Sequence, residues 1–377
     1  MKISNDPDIN EKILKKLNSG SLSFYDFMEI ALYNPQGGFY SNIENQFGKD
    51  GAFITSHYYG KWLGSVIAKQ IKIIFNKMMN PVNFKIVEYG PGEGFLAYDI
   101  LESLIKNNEY LDYILIEKST HLAKKSRDLL SKFKEKISFS ENLPDSFEGV
   151  ILAHEFLDAI PFHILQKTDR GYKEKYIVLE SNKLKYQLGP LSKSELNEHI
   201  KEIDKYIEVG QTFEIALDTK VWLELISKKL KKGAVLIFDY GFSNQVIFDK
   251  TRFHGTARSF RKHMVSEVSL ENVGKSDITA DVNFSFIVKN AEKLGFTLNG
   301  FTDQSHFCIG GGITDLIEKE SKSEPNINDK GVMGILDPTG LGSGIKVMLL
   351  TKGIDLKDLQ AFSMKPDDRT SFNTLKN

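Results

Sequence analysis

Lys85-Ile-Val-Glu88-Tyr-Gly90-Pro-Gly92-Glu-Gly94-Phe-Leu-Ala-Tyr-Asp-Ile100-Leu101 decides how this chain is read. Its apolar opening predicts a short buried strand, its glycines a turn, and Leu96, Ile100 and Leu104 at helical spacing a helix. Glycines two apart let the backbone bend sharply and approach a ligand closely, while a helix start offers unpaired N–H groups and about half a positive charge. Such a corner holds something polar or anionic. A dinucleotide fingerprint would need a further glycine five residues after the first, and Phe95 stands there instead.

Outward from this corner, strands and helices alternate, which predicts an α/β fold with a mostly parallel sheet covered by helices. The first strand is expected at 85–88 and the second at 113–116, closed by Glu117. An acid in that place, roughly 20 to 30 residues past the glycine loop, suits ribose hydroxyls. A third strand is expected at 137–140 and a fourth, fully apolar, at 149–153. The fourth runs into His154-Glu155-Phe-Leu-Asp158-Ala-Ile-Pro161. Two carboxylates and a polar ring past the carboxyl end of a central strand stand where such sheets bind ligands. Acids there would also suit the first turn of a helix.

Composition bounds the function. The chain has 377 residues, 41% hydrophobic and 26% charged, so it is an ordinary globular protein with length for a large core. Its 49 basic residues against 50 acidic ones give no general pull towards nucleic acid or an anionic membrane. A single cysteine, Cys308, excludes an internal disulfide and a cysteine zinc site, and the histidines show no metal-ligand spacing. No stretch reaches the ~20 apolar residues of a membrane span, and residues 1–20 carry neither a secretory nor a transit pattern. The expectation is a cytoplasmic protein without a metal.

The remaining segments organise around the sheet. Residues 1–83 read as a helical N-terminal segment and active-site roof, with a capped helix after Ser23 and a long helix at 62–79. Residues 84–161 read as the first part of the cofactor-binding core. Residues 162–218 interrupt it with short strands at 163–167, 172–180 and 184–188, a small antiparallel sheet inserted into the fold. Residues 219–352 read as the second part of the core. It has a lysine-rich helix end at 228–232, a buried strand at 233–241 ending in Asp239, a mobile basic loop at 251–263, and two last strands around a polar stretch at 320–344. Residues 353–377 read as a loosely held polar tail.

These landmarks resemble the MidA-type family of S-adenosylmethionine methyltransferases, which includes a mitochondrial arginine methyltransferase that assists complex I assembly. The similar segments are Tyr33-Asn-Pro-Gln-Gly-Gly-Phe-Tyr40, Gly51-Ala-Phe-Ile-Thr-Ser56, the Glu-x-Gly-x-Gly-x-Gly of 88–94 and 153–161. Further on come Asp239-Tyr-Gly241, Gly255-Thr-Ala-Arg258 through His263, and Asp277-Ile-Thr-Ala-Asp-Val-Asn-Phe284. The resemblance covers nearly the whole chain. It implies a class I, Rossmann-like methyltransferase fold and S-adenosylmethionine spread along Glu88, Gly90, Gly92, Gly94 and Glu117. It also implies a protein acceptor such as a respiratory-complex subunit. Where the family carries Gly-Asp-Phe, Pro-Glu and Asn-Glu, this chain has Ala52, His57-Tyr58 and His154-Glu155. Glu155 and Asp158 remain as the groups to orient and activate a substrate nitrogen, with Tyr40 and His154 shaping the pocket. Three readings stay open: methylation of a protein arginine, methylation of a small-molecule nitrogen or oxygen, and a cofactor-binding assembly factor with little chemistry.

Overall fold

Asp6 caps α1 (Pro7–Asn18), its carboxylate accepting the Asp8 amide at 2.9 Å. Ser23, the second residue of the short strand β1 (Leu22–Ser23), caps α2 (Phe24–Tyr33) by accepting the Asp26 amide at 3.1 Å. After α3 (Trp62–Lys77), the expected apolar runs form β2 (Phe84–Tyr89), β3 (Asp112–Ile116), β4 (Ile137–Ser140) and β5 (Phe147–His154), with α4 (Phe95–Ile105) and α5 (Thr120–Leu129) between them. Next come β6 (His163–Thr168), β7 (Gly171–Glu180), β8 (Lys183–Gly189), α6 (Ser194–Ile203), β9 (Thr212–Ile215), α7 (Asp218–Lys229) and β10 (Leu230–Phe242). The chain continues through β11 (Arg258–Arg261), β12 (Met264–Ser266), β13 (Asp277–Thr279), β14 (Val282–Asn283), β15 (Thr297–Asp303) and β16 (Ile345–Lys352). The computed structural model describes residues 4, 6–41, 60–105, 112–261, 264–322, 329–364 and 375. Ala52, His57 and Tyr58 lie outside the described residues.

The chain divides into two compact units. One comprises Thr55–Leu157, Trp222–Ser243 and Val282–Asn377. Its sheet runs β15-β16-β10-β5-β2-β3-β4, with β14 paired to β10. Pairings from β4 to β10 are parallel, whereas β16 is antiparallel to both β10 and β15. This is the class I methyltransferase sheet that the resemblance implies. Because β3 and β4 lie on one side of β2 and β5 on the other, strand order reverses between β2 and β5. Buried Val66, Ile67 and Ile71 of α3 and Ile100 and Leu101 of α4 join Ile86, Leu152 and Leu236 of the strands in one apolar cluster.

The other unit comprises Met1–Ile54, Asp158–Val221 and Asn244–Asp281. It contains the expected antiparallel sheet, ordered β1-β7-β6-β9 with β8 on β7, and a second sheet ordered β12-β11-β13. The insertion does not close on itself. Leu22 of β1 pairs with Ile177, and Phe24, Phe27 and Met28 pack with Phe162, Ile164 and Ile177. The segment 1–83 is likewise divided, since α1 and α2 bury their apolar faces in this unit and α3 in the other.

Several local expectations need correction. Lys231 and Lys232 do not end a helix: α7 stops at Lys229, and β10 begins at Leu230, paired to Phe147. The basic stretch 251–263 is not a free loop over its described residues. Arg258 lies on β11 and donates to Asp281 Oδ1 at 2.6 Å, which uses its charge inside the unit. Within 320–344, Asp329–Leu336 and Leu341–Gly344 are helical. The tail is tied down through Met364 because Leu356, Leu359 and Ala361 join the apolar core. Among the described residues no helix is long and apolar enough to cross a membrane.

Gly149 marks a close approach in the parallel sheet. Its φ is +149°, and a Cβ there would overlap the Lys85 carbonyl of β2. Gly149→Ala is expected to lower stability by at least ~2 kcal/mol, since neither backbone can yield without breaking the ladder. Urea unfolding of the full chain measures this.

Candidate active site

Open α/β sheets bind ligands outside the carboxyl ends of their strands, where strand order reverses. Here that place lies past β2 and β5, whose parallel register sets Glu88 opposite Leu152 and Tyr89 opposite Ala153. The chain beyond β2 is the glycine loop and the chain beyond β5 is His154 to Leu157, so the two predicted features leave adjacent strands side by side.

The glycine loop turns through left-handed residues, with φ of +62° at Gly90, +57° at Gly92 and +88° at Gly94. The three positions differ in what surrounds them. A Cβ on Gly90 would meet the Phe156 ring at 3.0 Å, and one on Gly94 the Ser126 hydroxyl at 2.5 Å, but one on Gly92 would meet nothing within 4 Å. Gly90 and Gly94 are therefore packing glycines, and Gly92 presents bare backbone to open space. The Gly92 amide donates to Glu117 Oε2 at 3.3 Å, while Glu117 Oε1 accepts the Ser119 amide at 2.8 Å. Burial pushes the Glu117 carboxyl up to about 7, against the pull of these N–H groups. An acceptor pair beside exposed loop backbone fits a nucleoside ligand with ribose hydroxyls and a polar tail, so the residues present suit the implied cofactor.

Glu88 stands elsewhere. It is 2% exposed within β2 and accepts the Tyr113 hydroxyl at 2.7 Å, so the structure gives it an internal partner beneath the loop. Burial raises it to about 7, the phenol hydrogen bond opposes this, and the charge of Glu117 adds to it.

The β5 turn is held from the neighbouring strand β10. Phe238 pairs with His154, and its carbonyl accepts the Glu155 amide at 2.8 Å. Asp239 Oδ2 then accepts the Phe156 and Leu157 amides at 3.2 and 2.8 Å. Glu155 consequently adopts φ +48°, a left-handed conformation that costs a non-glycine residue of order 1–3 kcal/mol and persists only where surroundings over-determine it. The His154 ring nitrogen Nδ1 lies 3.8 Å from Glu155 Oε1. The Phe156 ring packs on Tyr89 and Trp222 at centroid distances of 5.3 and 5.9 Å. The turn thus sets a carboxylate and an imidazole at the mouth of the sheet next to the glycine loop. The Asp239 role escaped the sequence reading, whose signals were an apolar strand ending in an acid and the family-like segment Asp239-Tyr-Gly241.

Asp158 opens the other unit and has its own neighbourhood there. Burial lifts its carboxyl to about 6, the Arg258 charge lowers it, and Asp281 raises it. Asp277 is lifted to about 7 by burial and by Asp158, against the hydrogen bond that Tyr40 donates to its Oδ1 at 2.9 Å. Tyr40 stacks on Tyr33 at 5.4 Å, and the Tyr33 hydroxyl donates to the Ala159 carbonyl at 2.7 Å. The structure thus brings Tyr40 and Asp158 together with Asp277, which the sequence marked only as the start of a family-like segment. Among the described residues no group of histidine, cysteine or carboxylate side chains is arranged to hold a metal ion.

Residues 66–302 match the family described as "Putative S-adenosyl-L-methionine-dependent methyltransferase". The chain is similar to the Drosophila melanogaster protein named protein arginine methyltransferase NDUFAF7 homolog, mitochondrial, at 26% identity over 90% of this chain and 84% of that protein. Its identity to protein arginine methyltransferase NDUFAF7, mitochondrial, of Homo sapiens is 27%, over 89% of this chain and 81% of that one. A Burkholderia thailandensis protein with S-adenosyl-homocysteine bound superposes with a TM-score of 0.87 at 24% identity, covering 96% of each chain, and shares the fold.

Two buried carboxyls of the sheet unit carry a pH signature. Glu88 and Glu117 both move from 4.5 in the reference state to about 7 in the fold, so the folded state favours their protonated forms. Their contribution to stability is present below about 4.5 and is lost as pH rises through about 7. Glu117→Gln should flatten this decline by about 1–3 kcal/mol relative to the unsubstituted protein. Urea unfolding at pH 5 and pH 7.5 measures the difference.

Proposed function

The chain belongs to this family of S-adenosylmethionine-dependent methyltransferases, and we propose that its methyl acceptor is a protein arginine. The observation that carries the proposal is the adjacency of the glycine loop and the Glu155 turn on neighbouring parallel strands. A carboxylate on the turn beside the glycine loop supports this reading. The names of the two relatives support arginine as the acceptor.

When bound, S-adenosylmethionine supplies a sulfonium methyl whose S–C bond breaks as the N–C bond forms, sulfur keeping the pair and the guanidinium losing one proton. The obstacle is the acceptor itself, which is protonated with a pKa above about 12 and is a poor nucleophile in that form. We assign Glu155 to answer it. Its carboxylate holds one edge of the guanidinium, which localises the electron pair on the far nitrogen, and it accepts the departing proton. At ~4 Å and an effective dielectric near 20, one such contact is worth up to ~4 kcal/mol before desolvation. His154, beside Glu155, bounds the same pocket and takes the place the family gives to asparagine. Gly92 would offer its backbone to the methionine portion of the donor, and Glu117 would accept from its ribose. In-line positioning of the reacting atoms supplies most of the remaining acceleration.

The departures at Ala52, His57, Tyr58 and His154 favour the second reading, a small-molecule acceptor, and one experiment separates the two. Purified protein is incubated with methyl-labelled S-adenosylmethionine and extract of its own cells, and the label is located. Label in arginine of a tryptic digest is expected. Label confined to the small-molecule fraction would replace arginine by the second reading. S-adenosylhomocysteine release without protein label would do the same.

Glu155→Gln should lower kcat by about 100-fold or more while leaving S-adenosylhomocysteine affinity within about 3-fold. Turnover at the unsubstituted rate would remove Glu155 from the mechanism. Glu117→Gln should instead weaken cofactor binding by about 10- to 100-fold, as loss of a charged hydrogen-bond acceptor does. Calorimetric titration measures both affinities.

A further inference from the structure

Asp239 ends the apolar part of β10 and is fully buried, and its carboxylate accepts from the backbone amides of the turn that follows β5. Oδ2 accepts from Phe156 and Leu157 at 3.2 and 2.8 Å, and Oδ1 accepts from Tyr240 at 2.9 Å. With the Phe238 carbonyl holding the Glu155 amide at 2.8 Å, the three successive amides after His154 are fixed by two residues of the next strand.

A carboxylate suits this work in a way that a neutral side chain does not. Ionised, it is acceptor on both oxygens, and three N–H groups converge on it. An asparagine there would turn an NH2 group towards either Tyr240 or the Phe156–Leu157 pair, leaving buried amides unpaired on that side. The side chain is also too deeply buried to touch a ligand, with 0% of its surface exposed. Its influence on chemistry must pass through the turn that it holds.

That turn carries a strained backbone residue. Glu155 sits at φ +48°, between a β-strand that ends at His154 and a Phe156 ring lodged against Gly90 of the cofactor loop. We propose that Asp239 is a positioning residue for methyl transfer: it clamps the turn so that Glu155 is held in the left-handed conformation that aims its carboxylate. This rests on the assignment of Glu155 made above. Misplacing a reacting group by about 1 Å costs about 100-fold in rate, so releasing the clamp should act on turnover far more than on cofactor binding.

The test uses full-length protein carrying Asp239→Asn and, separately, Asp239→Glu, which keeps the charge while moving both oxygens. Each is assayed for S-adenosylhomocysteine affinity, hydrogen exchange of a peptide spanning 154–158, and turnover in the extract used for the unsubstituted protein. The expected result is affinity within about 3-fold, faster exchange in the 154–158 peptide, and kcat lowered about 100-fold in both variants. Affinity within that range shows that the sheet and glycine loop are folded. Exchange as slow as in the unsubstituted protein would overturn the clamp. Faster exchange with undiminished kcat would overturn its role in transfer, as would rescue of kcat by Asp239→Glu. If the unsubstituted protein itself releases no S-adenosylhomocysteine with any extract fraction, the acceptor reading fails, and the exchange measurement still decides whether Asp239 holds the turn.

Discussion

The parallel pairing of β2 with β5 is the constraint on which the rest of the cofactor unit depends. Two apolar strands lie in register with a glycine where a side chain would overlap the facing backbone, and chain order reverses between them. No helix crosses directly from one to the other, so the loops leaving their carboxyl ends are free to diverge and to serve a ligand. The glycine loop and the Glu155 turn are those two loops. A third strand, β10, extends the register and supplies the Phe238 carbonyl and the Asp239 carboxylate that fix the second. A cradle and a candidate catalytic group therefore follow from one piece of sheet geometry.

Buried carboxyls recur throughout the protein, and each is compensated differently. Glu88 is met by a phenol, Glu117 by two loop amides, Asp239 by three amides, and Asp277 by Tyr40 and a backbone N–H. Burying an ionised carboxylate without partners would be costly, and most of these partners are backbone groups with few other acceptors available. The arrangement stiffens turns and strand ends where side-chain packing alone would leave freedom. Where compensation is partial, as at Glu88, Glu117, Asp158 and Asp277, the carboxyl is held near neutrality, which ties the protonation of both units to physiological pH.

The sheet was legible because its strands are short apolar runs punctuated by glycine or acid, as at Glu117 and Asp239, and periodicity finds such runs. The grouping of the chain into units was not. It depends on a two-residue strand, Leu22–Ser23, pairing with residues near 177, and on 244–281 joining the N-terminal helices, and neither leaves a local pattern. The tail read as loose because three apolar residues in a polar stretch carry little periodicity, although Leu356, Leu359 and Ala361 are enough to seat its described part, through Met364, in the core. At the site, the glycine loop announced itself by spacing. The Asp239 bonds did not, since they join side chain to backbone 83 and 82 residues away and select no residue type at the receiving end.

The central claim is that the corner past β2 is a ligand cradle rather than a structural turn, and Gly92 tests it most directly. A Cβ at that position meets nothing within 4 Å in the protein, so Gly92→Ala should cost only the ~1 kcal/mol of a left-handed alanine. The same methyl group would stand where the backbone is bare towards the cofactor. Calorimetric titration with S-adenosylmethionine should show affinity reduced at least about 10-fold in a variant whose unfolding midpoint moves only a few degrees. Affinity unchanged by the substitution would contradict the account.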